Sequence, residues 1–330
     1  MEDYSKILSN YNIEGYSISF KDNDYIVDCK SEMFMLHTYR SKKTQLKDFL
    51  QFYEDLYNNG FRKIGKIIKT NNGNKYIKAR DTSYFLTSYF REDTDFVYNI
   101  DFFKNSILLL NKFHRCTIEL HPEKYNFKRE YTKYIKRYLK RIDYMLNLKN
   151  TISNNIIKSY FDNQVLDILV NYDEVLTNCK KIFSNLSTIK NKTPHRYKFS
   201  ASGITIDDFT KSDNKIKLKN INRIKYSYYH MDIGSLLNSI LNQPSVNWDY
   251  QTFNDLIEIY KKNYNFSLED IYLILGFTAF PYKFYDICRD IYKKHSHKNI
   301  SEYKLALNNI LSQSENVNTW FKFYVEATDI

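Results

Sequence analysis

Apolar and polar positions alternate with different periods in the two parts of the chain. In the first part, short apolar runs bounded by turn residues predict six strands, over 16–20, 25–29, 33–37, 65–70, 75–79 and 83–90. Apolar residues spaced three and four apart over Lys43–Asn58 predict a helix, which Gly60 would terminate. The turn sequence Asn71-Asn72-Gly73 predicts that the fourth and fifth strands form a hairpin.

From about Asp95 onward the periodicity becomes helical. Helices are predicted over 101–115, 128–149, 155–184, 232–242, 249–263, 267–279, 281–295, 301–312 and 316–327. A short β insertion interrupts them at 195–225. The order predicts an α+β protein with two lobes, a small β-rich one over 1–90 and a larger, mostly helical one over 91–330.

Composition supports a folded protein with long regular elements. The 330 residues are 43% apolar and contain only 7 Gly and 4 Pro. The net charge of +11 suits a polyanionic or acidic partner, but the Lys content and the 31 Tyr are also what AT-rich codons encode. Both explanations of the charge stay open.

Several kinds of site and location are not expected. The four cysteines are far apart and show no metal-ligand spacing, so a zinc site or a disulfide framework is not predicted and synthesis in a reducing compartment is. The N-terminus has no secretory signal pattern, and no stretch approaches 18 uncharged apolar residues.

Six short motifs occur in an order typical of one protein family. They are Asn58–Phe61, Gly73–Ile77, Leu86–Glu92, Leu109–His114, Thr193–His195 and Met231–Leu236. In order and spacing they resemble motifs of the CotS-type spore coat proteins, a branch of the aminoglycoside phosphotransferase-like kinase superfamily. The resemblance covers roughly residues 10 to 310. It implies a bilobal kinase-like fold with a catalytic loop at 195–225.

The catalytic positions of that family are degenerate here. Kinases use a strand Lys for phosphates, an Asp as proton acceptor, and an Asn and a second Asp for metal. The resemblance places His37, Tyr197, Ser202 and Asn220 at these positions, with Gly203 replacing Ser202 if one residue is inserted. None of these side chains is a strong anionic base or metal ligand, so we predict no catalytic residues, no metal site and no cofactor.

Two positions keep the residue type that the family has, His195 of the catalytic loop and Asp232. We expect structural roles for both. His195 would pack within the loop, and Asp232 would be the N-cap of the helix that follows and would hold the loop in place.

Taken with the resemblance, these observations predict a non-catalytic structural protein of the bacterial endospore coat that acts by protein–protein assembly. It would be made in the mother-cell cytoplasm and assembled with other coat proteins, without nucleic acid or membrane insertion. Two alternatives stay open. One is a divergent small-molecule phosphotransferase that uses ATP and Mg²⁺, and the other is a pseudokinase that binds a nucleotide or metabolite.

One helix is a candidate partner surface. The segment 128–149 is strongly basic and carries Lys133, Lys136, Arg137, Lys140 and Arg141, with tyrosines beside them that we expect to be exposed. It would present an electrostatic platform to an acidic partner, or it would be a solvated face over an apolar stripe.

Overall fold

The computed structural model describes residues 4–21, 24–30, 32–39, 43–94, 96–127, 131–188, 197–219, 221, 224–294 and 300–326. The chain folds into two units. The first comprises Met1–Arg129, Lys198–Ser202 and Ile206–Tyr226, and the second comprises Glu130–Tyr197, Gly203–Thr205 and Ser227–Ile330. The boundary predicted at residue 90 falls inside the first unit, because the helix after it and a later hairpin pack there.

The first unit is built on an antiparallel sheet. Its strands are β1 (Ser17–Lys21), β2 (Asp24–Asp28), β3 (Met33–Tyr39), β4 (Ile67–Ile68), β5 (Ile77–Ala79) and β6 (Thr82–Ser88), in the order β1-β2-β3-β6-β4, with β5 also paired to β6. Helix α1 (Tyr4–Leu8), which the sequence did not predict, packs Ile7 and Leu8 with Leu36 and Leu86 of the sheet. Helix α2 (Lys43–Asn58) has the predicted bounds, and its Phe49 packs on Phe85 at 5.9 Å.

The predicted hairpin between the fourth and fifth strands is wrong. The turn forms, since the Thr70 carbonyl accepts from the Gly73 amide at 2.8 Å. The two strands nevertheless both pair with β6, Ile68 opposite Leu86 and Ile77 opposite Tyr84. Pairing with β6 outweighs the local turn signal, because six of the seven β6 residues are buried and pairing on both sides satisfies their backbone groups.

A helix and a hairpin complete the first unit. Helix α3 (Ile100–Ile118) begins at the N-cap Asn99, whose side chain accepts from the Phe102 amide. Strands β8 (Phe209–Ser212) and β9 (Lys215–Leu218) form a hairpin around Asp213 and Asn214, both with positive φ, as two-residue hairpin turns require. The Asp93 carboxylate accepts from both turn amides, at 3.0 and 3.2 Å. This clamp fixes the hairpin to the segment that follows β6. A further strand pair joins β7 (Tyr197–Ser200) and β10 (Lys225–Tyr228).

The second unit is helical. Its helices are α4 (Tyr131–Asn154), α5 (Tyr160–Asn171), α6 (Asp173–Thr188), α7 (His230–Leu241), α8 (Tyr250–Lys261), α9 (Leu268–Ala279), α10 (Tyr282–Cys288) and α11 (Ile300–Glu326). Helices α7 and α9 approach so closely that a Cβ on Gly234 would lie 2.4 Å from the Phe277 Cβ. No helix among the described residues is long and apolar enough to cross a membrane.

Helix bounds in this unit differ from prediction where capping decides them. The single helix expected over 155–184 is two helices. A capping box of Ser159 and Asp162 starts α5, this helix ends at the C-cap Tyr172, and α6 begins at the next residue. The two helices expected over 301–327 are one continuous α11. The helix predicted at 267–279 is confirmed as α9, capped by Ser267 and Asp270.

Candidate functional site

His37, which the resemblance assigns to the position of the kinase strand lysine, lies in a buried hydrogen-bond network. His37 lies on β3, and the pairing of β2 with β3 brings Asp24 close to it. Its Nδ1 lies 2.8 Å from Asp24 Oδ2, and its Nε2 lies 3.0 Å from Thr87 Oγ1 of β6. The ring also stacks on Phe85, with centroids 4.4 Å apart. Both ring nitrogens are therefore engaged within the same sheet.

Helix α2 presents aromatic rings to this face of the sheet. In protein kinases the strand lysine pairs with a helix Glu. Here Phe49 of α2 packs on Phe85 and on Tyr53, and no carboxylate hydrogen bond to His37 comes from the described part of α2. Burial, followed by the neighbouring Tyr57, raises the pKa of Tyr53 well above its usual value. Its hydroxyl is therefore neutral at physiological pH.

The catalytic-loop segment forms strand β7 and the turn after it. Tyr197, at the proton-acceptor position, is the first residue of β7. The next residue, Lys198, is half-buried, and burial lowers the pKa of its amine to about 8. Lys198 is not among the site residues predicted from the sequence motifs. The feature that could have indicated a half-buried amine is the position of Lys198 between two aromatic residues, Tyr197 and Phe199, in the predicted β insertion.

Ser202, at the metal-ligand position, has a left-handed backbone with φ of 60°. Its amide donates to Ser200 Oγ at 3.0 Å, and its own hydroxyl is buried without a hydrogen-bond partner among the described residues. A neutral hydroxyl is a weaker Mg²⁺ ligand than the amide or carboxylate oxygens that kinases use.

Gly203 and Asp232 are joined by a hydrogen bond within the second unit. The Gly203 amide donates to Asp232 Oδ1 at 3.2 Å, and its φ of 96° favours glycine. The prediction that Asp232 is an N-cap is wrong. Helix α7 begins at His230 after Tyr229, so Asp232 is its third residue and is fully buried. The buried Tyr229, His230 and Met231 extend the helix toward its N-terminus.

The remaining site positions, His195 and Asn220, lie outside the described residues. Within the described ranges, no three His, Cys, Asp or Glu side chains converge to hold a metal ion. At the positions that the resemblance assigns to the strand lysine and the metal-binding Asn, this chain has His37 and Ser202.

Helix α4 presents a basic surface in the second unit. Lys133, Lys136, Arg137 and Lys140 are exposed, and the Arg137 guanidinium also lies over the Tyr134 ring at 5.0 Å. Arg141 is half-buried between Tyr138 and Tyr285, 5.4 and 4.9 Å from their rings. The expectation of exposed tyrosines is wrong for Tyr134 and Tyr138, because their rings form the packing face of the helix. We define the α4 surface as Lys133, Lys136, Arg137 and Lys140.

Comparison with solved structures shows the fold. An aminoglycoside phosphotransferase from Alicyclobacillus acidocaldarius has a TM-score of 0.81 at 13% identity, over 98% of this chain and 96% of that one. A spectinomycin phosphotransferase, solved with ADP and spectinomycin, has a TM-score of 0.68 at 12% identity, over 100% and 99%. Choline kinase from Streptococcus pneumoniae has a TM-score of 0.53 at 12% identity, over 96% and 97%. The predicted α+β, aminoglycoside phosphotransferase-like kinase fold is confirmed.

Sequence comparison gives the family. Curated proteins yield no significant match. A family model described as "Spore coat putative kinase YutH" matches residues 4–323. This match confirms the resemblance to CotS-type proteins that the motifs indicated. The chain belongs to this family of spore coat kinase-like proteins.

Proposed function

We propose that this protein is a non-catalytic, kinase-like component of the bacterial endospore coat that works by protein–protein assembly. One observation carries the proposal. At the position where kinases hold nucleotide phosphates with a lysine, His37 is buried and bonded on both sides, to Asp24 and to Thr87. An imidazole in this state has no free nitrogen to offer a phosphate.

The exposed cations of the α4 surface support an assembly role. Four positive side chains on two successive turns create a local field that steers an acidic partner and speeds encounter. Other coat proteins are the proposed partners, with synthesis in the mother-cell cytoplasm followed by deposition on the coat. The family to which the chain belongs supports the coat location.

The direct test of the non-catalytic proposal is a phosphotransfer assay with ATP and Mg²⁺ on aminoglycoside, choline and sugar acceptors. We expect no turnover above that of heat-treated protein. Thermal denaturation with ATP, with and without Mg²⁺, is measured beside it, and we expect no Mg²⁺-dependent stabilisation. Turnover that disappears in a folded Lys198→Ala or Ser202→Ala variant would overturn the proposal.

A divergent phosphotransferase is the second candidate, and one observation favours it. Lys198 directly follows the proton-acceptor position, and an amine with a pKa near 8 can exchange a proton at physiological pH. Under this reading, Lys198→Arg would retain nucleotide binding and lose turnover. Under the pseudokinase reading, the wild type would be stabilised by ATP and show no turnover in any arm of the assay.

A further inference from the structure

The first unit contains a cavity of about 520 Å³ outside the positions inherited from the kinase motifs. Its walls are Lys63 of the segment after α2, the segment before α3, the part of α3 from Asp101 to Lys112 and the hairpin β8–β9. Four lysines line it: Lys63, Lys112, Lys211 and Lys215. Three different parts of the chain therefore bring their cations to one cavity.

These positive charges are not neutralised within the described part of the protein. None of the four lysines forms an ion pair there, and Asp101 is the one acidic residue among the described lining residues. Two carboxylates of the segment before α3, Glu92 and Asp93, are engaged by other groups. Asp93 accepts from the hairpin turn amides, and Glu92 accepts from Thr210 and lies 3.6 Å from Lys219.

Burial and repulsion from other lysines lower the pKa of Lys63. The repelling groups are the amines of Lys217, Lys215 and Lys112. An anion placed in the cavity would remove that repulsion, because each lysine would gain a counter-charge. The cluster is therefore more favourable with an anion bound than without one.

The floor of the cavity is apolar. Phe102 and Leu109 are buried, and Phe96 and Ile216 are half-buried beside them. Val97 and Leu108 expose about 71% and 48% of their surface at the rim. Removing this apolar surface from water is favourable, so a ligand with an apolar body would bind more tightly than its charge alone would allow.

We propose that this cavity binds a small organic polyanion, a molecule with at least two negative groups on an aromatic or aliphatic body. Lysine ammonium groups are point charges without a fixed fork, so phosphate, sulfonate and carboxylate groups all satisfy them. The volume lies in the range of small-molecule sites, about 300–1,000 Å³. The Asn99 cap and the Asp93 clamp on the hairpin turn fix the walls before a ligand arrives.

The test uses the full-length protein and three probes in isothermal titration calorimetry. The first is 1,5-naphthalenedisulfonate, which has both charges and an apolar body. Pyrophosphate has charge without the body, and 1-naphthol has the body without charge at neutral pH. We expect saturable one-to-one binding of the disulfonate, and binding at least about tenfold weaker for each of the other two.

Two matched variants locate the site. Lys63→Gln/Lys211→Gln/Lys215→Gln removes three cations of the cavity, and Lys133→Gln/Lys136→Gln/Lys140→Gln removes three from the α4 surface. Both change the net charge equally. We expect the cavity variant to weaken disulfonate binding about tenfold or more and the α4 variant to change it less than about threefold. Circular dichroism verifies that both are folded.

Three outcomes would overturn the proposal. They are no saturable binding of the disulfonate, equal weakening by the two triple variants, and 1-naphthol binding as tightly as the disulfonate. Pyrophosphate binding as tightly as the disulfonate would overturn the role assigned to the apolar floor. If the cavity variant fails to fold, Leu108→Ser/Val97→Ser at the exposed rim replaces it, and unchanged disulfonate affinity in that variant counts against the site.

Discussion

His37 in the first unit and Asp232 in the second are both buried polar residues, and the resemblance assigns both to kinase motif positions. They differ in residue type, because His37 departs from the type that the motif leads us to expect and Asp232 matches it. At His37, where the resemblance leads us to expect a lysine, Asp24 and Thr87 satisfy the imidazole. At Asp232 the family residue is kept, and it accepts from the Gly203 amide. The comparison teaches that the fold satisfies a buried polar side chain in two ways, through other side chains at His37 and through a backbone amide at Asp232.

The largest expected effect concerns Asp232, the retained residue. Asp232→Ala removes a fully buried carboxylate and leaves the half-buried Gly203 amide without its acceptor, which we expect to lower the free energy of unfolding by about 2–3 kcal/mol. The matched control is Asp249→Ala, which removes an exposed N-cap of α8 and should cost about 1 kcal/mol. Urea unfolding measures both. Equal losses would remove the distinction between a buried acceptor and an ordinary helix cap.

The replaced residue should be nearly as important to its own unit. His37→Phe keeps the stacking on Phe85 but leaves the buried Asp24 carboxylate without the imidazole, at a cost of about 2 kcal/mol. Combined with Thr87→Val in a double-mutant cycle, it should show a coupling energy of about 1 kcal/mol.

Met35→Leu on the same strand is the control for His37→Phe. It exchanges one buried apolar side chain for another and should cost less than about 1.5 kcal/mol. A coupling energy near zero between His37 and Thr87 would mean that the network does not stabilise the sheet, and the comparison with Asp232 would fail.

A third carboxylate extends the comparison to pH. Burial alone would raise the pKa of Asp270, but His230, whose Nε2 lies 3.2 Å from Asp270 Oδ1, and hydrogen bonds from Ser267 lower it well below its usual value. A lowered pKa in the folded state means that the stabilisation is complete above the ordinary pKa of about 3.9 and is lost as the pH falls below it.

Asp270→Asn should therefore cost about 1 kcal/mol at neutral pH and should flatten the acid side of the stability profile. Denaturant unfolding at a series of pH values between neutrality and the onset of acid unfolding provides the measurement. An acid limb of the same steepness in the variant and the wild type would show that other carboxylates dominate.

The smallest effect on stability is expected at the α4 surface. Lys136→Glu/Arg137→Glu/Lys140→Glu alters exposed groups and should change the free energy of unfolding by less than about 0.5 kcal/mol for each substitution. Coat association should weaken, and the difference from the wild type should shrink as salt is raised. Normal spore localisation of the folded variant would make α4 an ordinary solvated face.

The sequence predicted elements well where local signals and burial agree. Helix α2 has its predicted bounds because a regular apolar face and the following Gly60 act together. The predicted β4–β5 hairpin is wrong because both strands pair with β6, which the turn signal at Asn71-Asn72-Gly73 does not indicate. Apolar periodicity did not register the Ser159–Asp162 capping box that starts α5 or the C-cap at Tyr172, and it placed an end within α11 where the helix is continuous.

The sequence indicated which residues belong to the candidate site, but it did not indicate which side chains those residues contact. His37 was identified from the family resemblance, but its partners come from strand register, which brings Asp24 and Thr87 to it from 13 and 50 residues away. The cavity lysines had no sequence signal, because Lys63, Lys112 and Lys211 lie in separate elements that only the tertiary fold brings together.

The division of the chain between the units has a consequence for biosynthesis. The first unit needs residues from 198 onward, so it stays incomplete while the ribosome makes residues 130–197, an interval of several seconds at about 5–20 residues per second. During that interval the Phe52 ring lacks Phe199, its neighbour at 4.7 Å, and Asp93 lacks the turn whose amides it binds. Nascent chains of this length would expose an aromatic face to chaperones, and a premature stop before residue 198 would leave that face uncovered permanently.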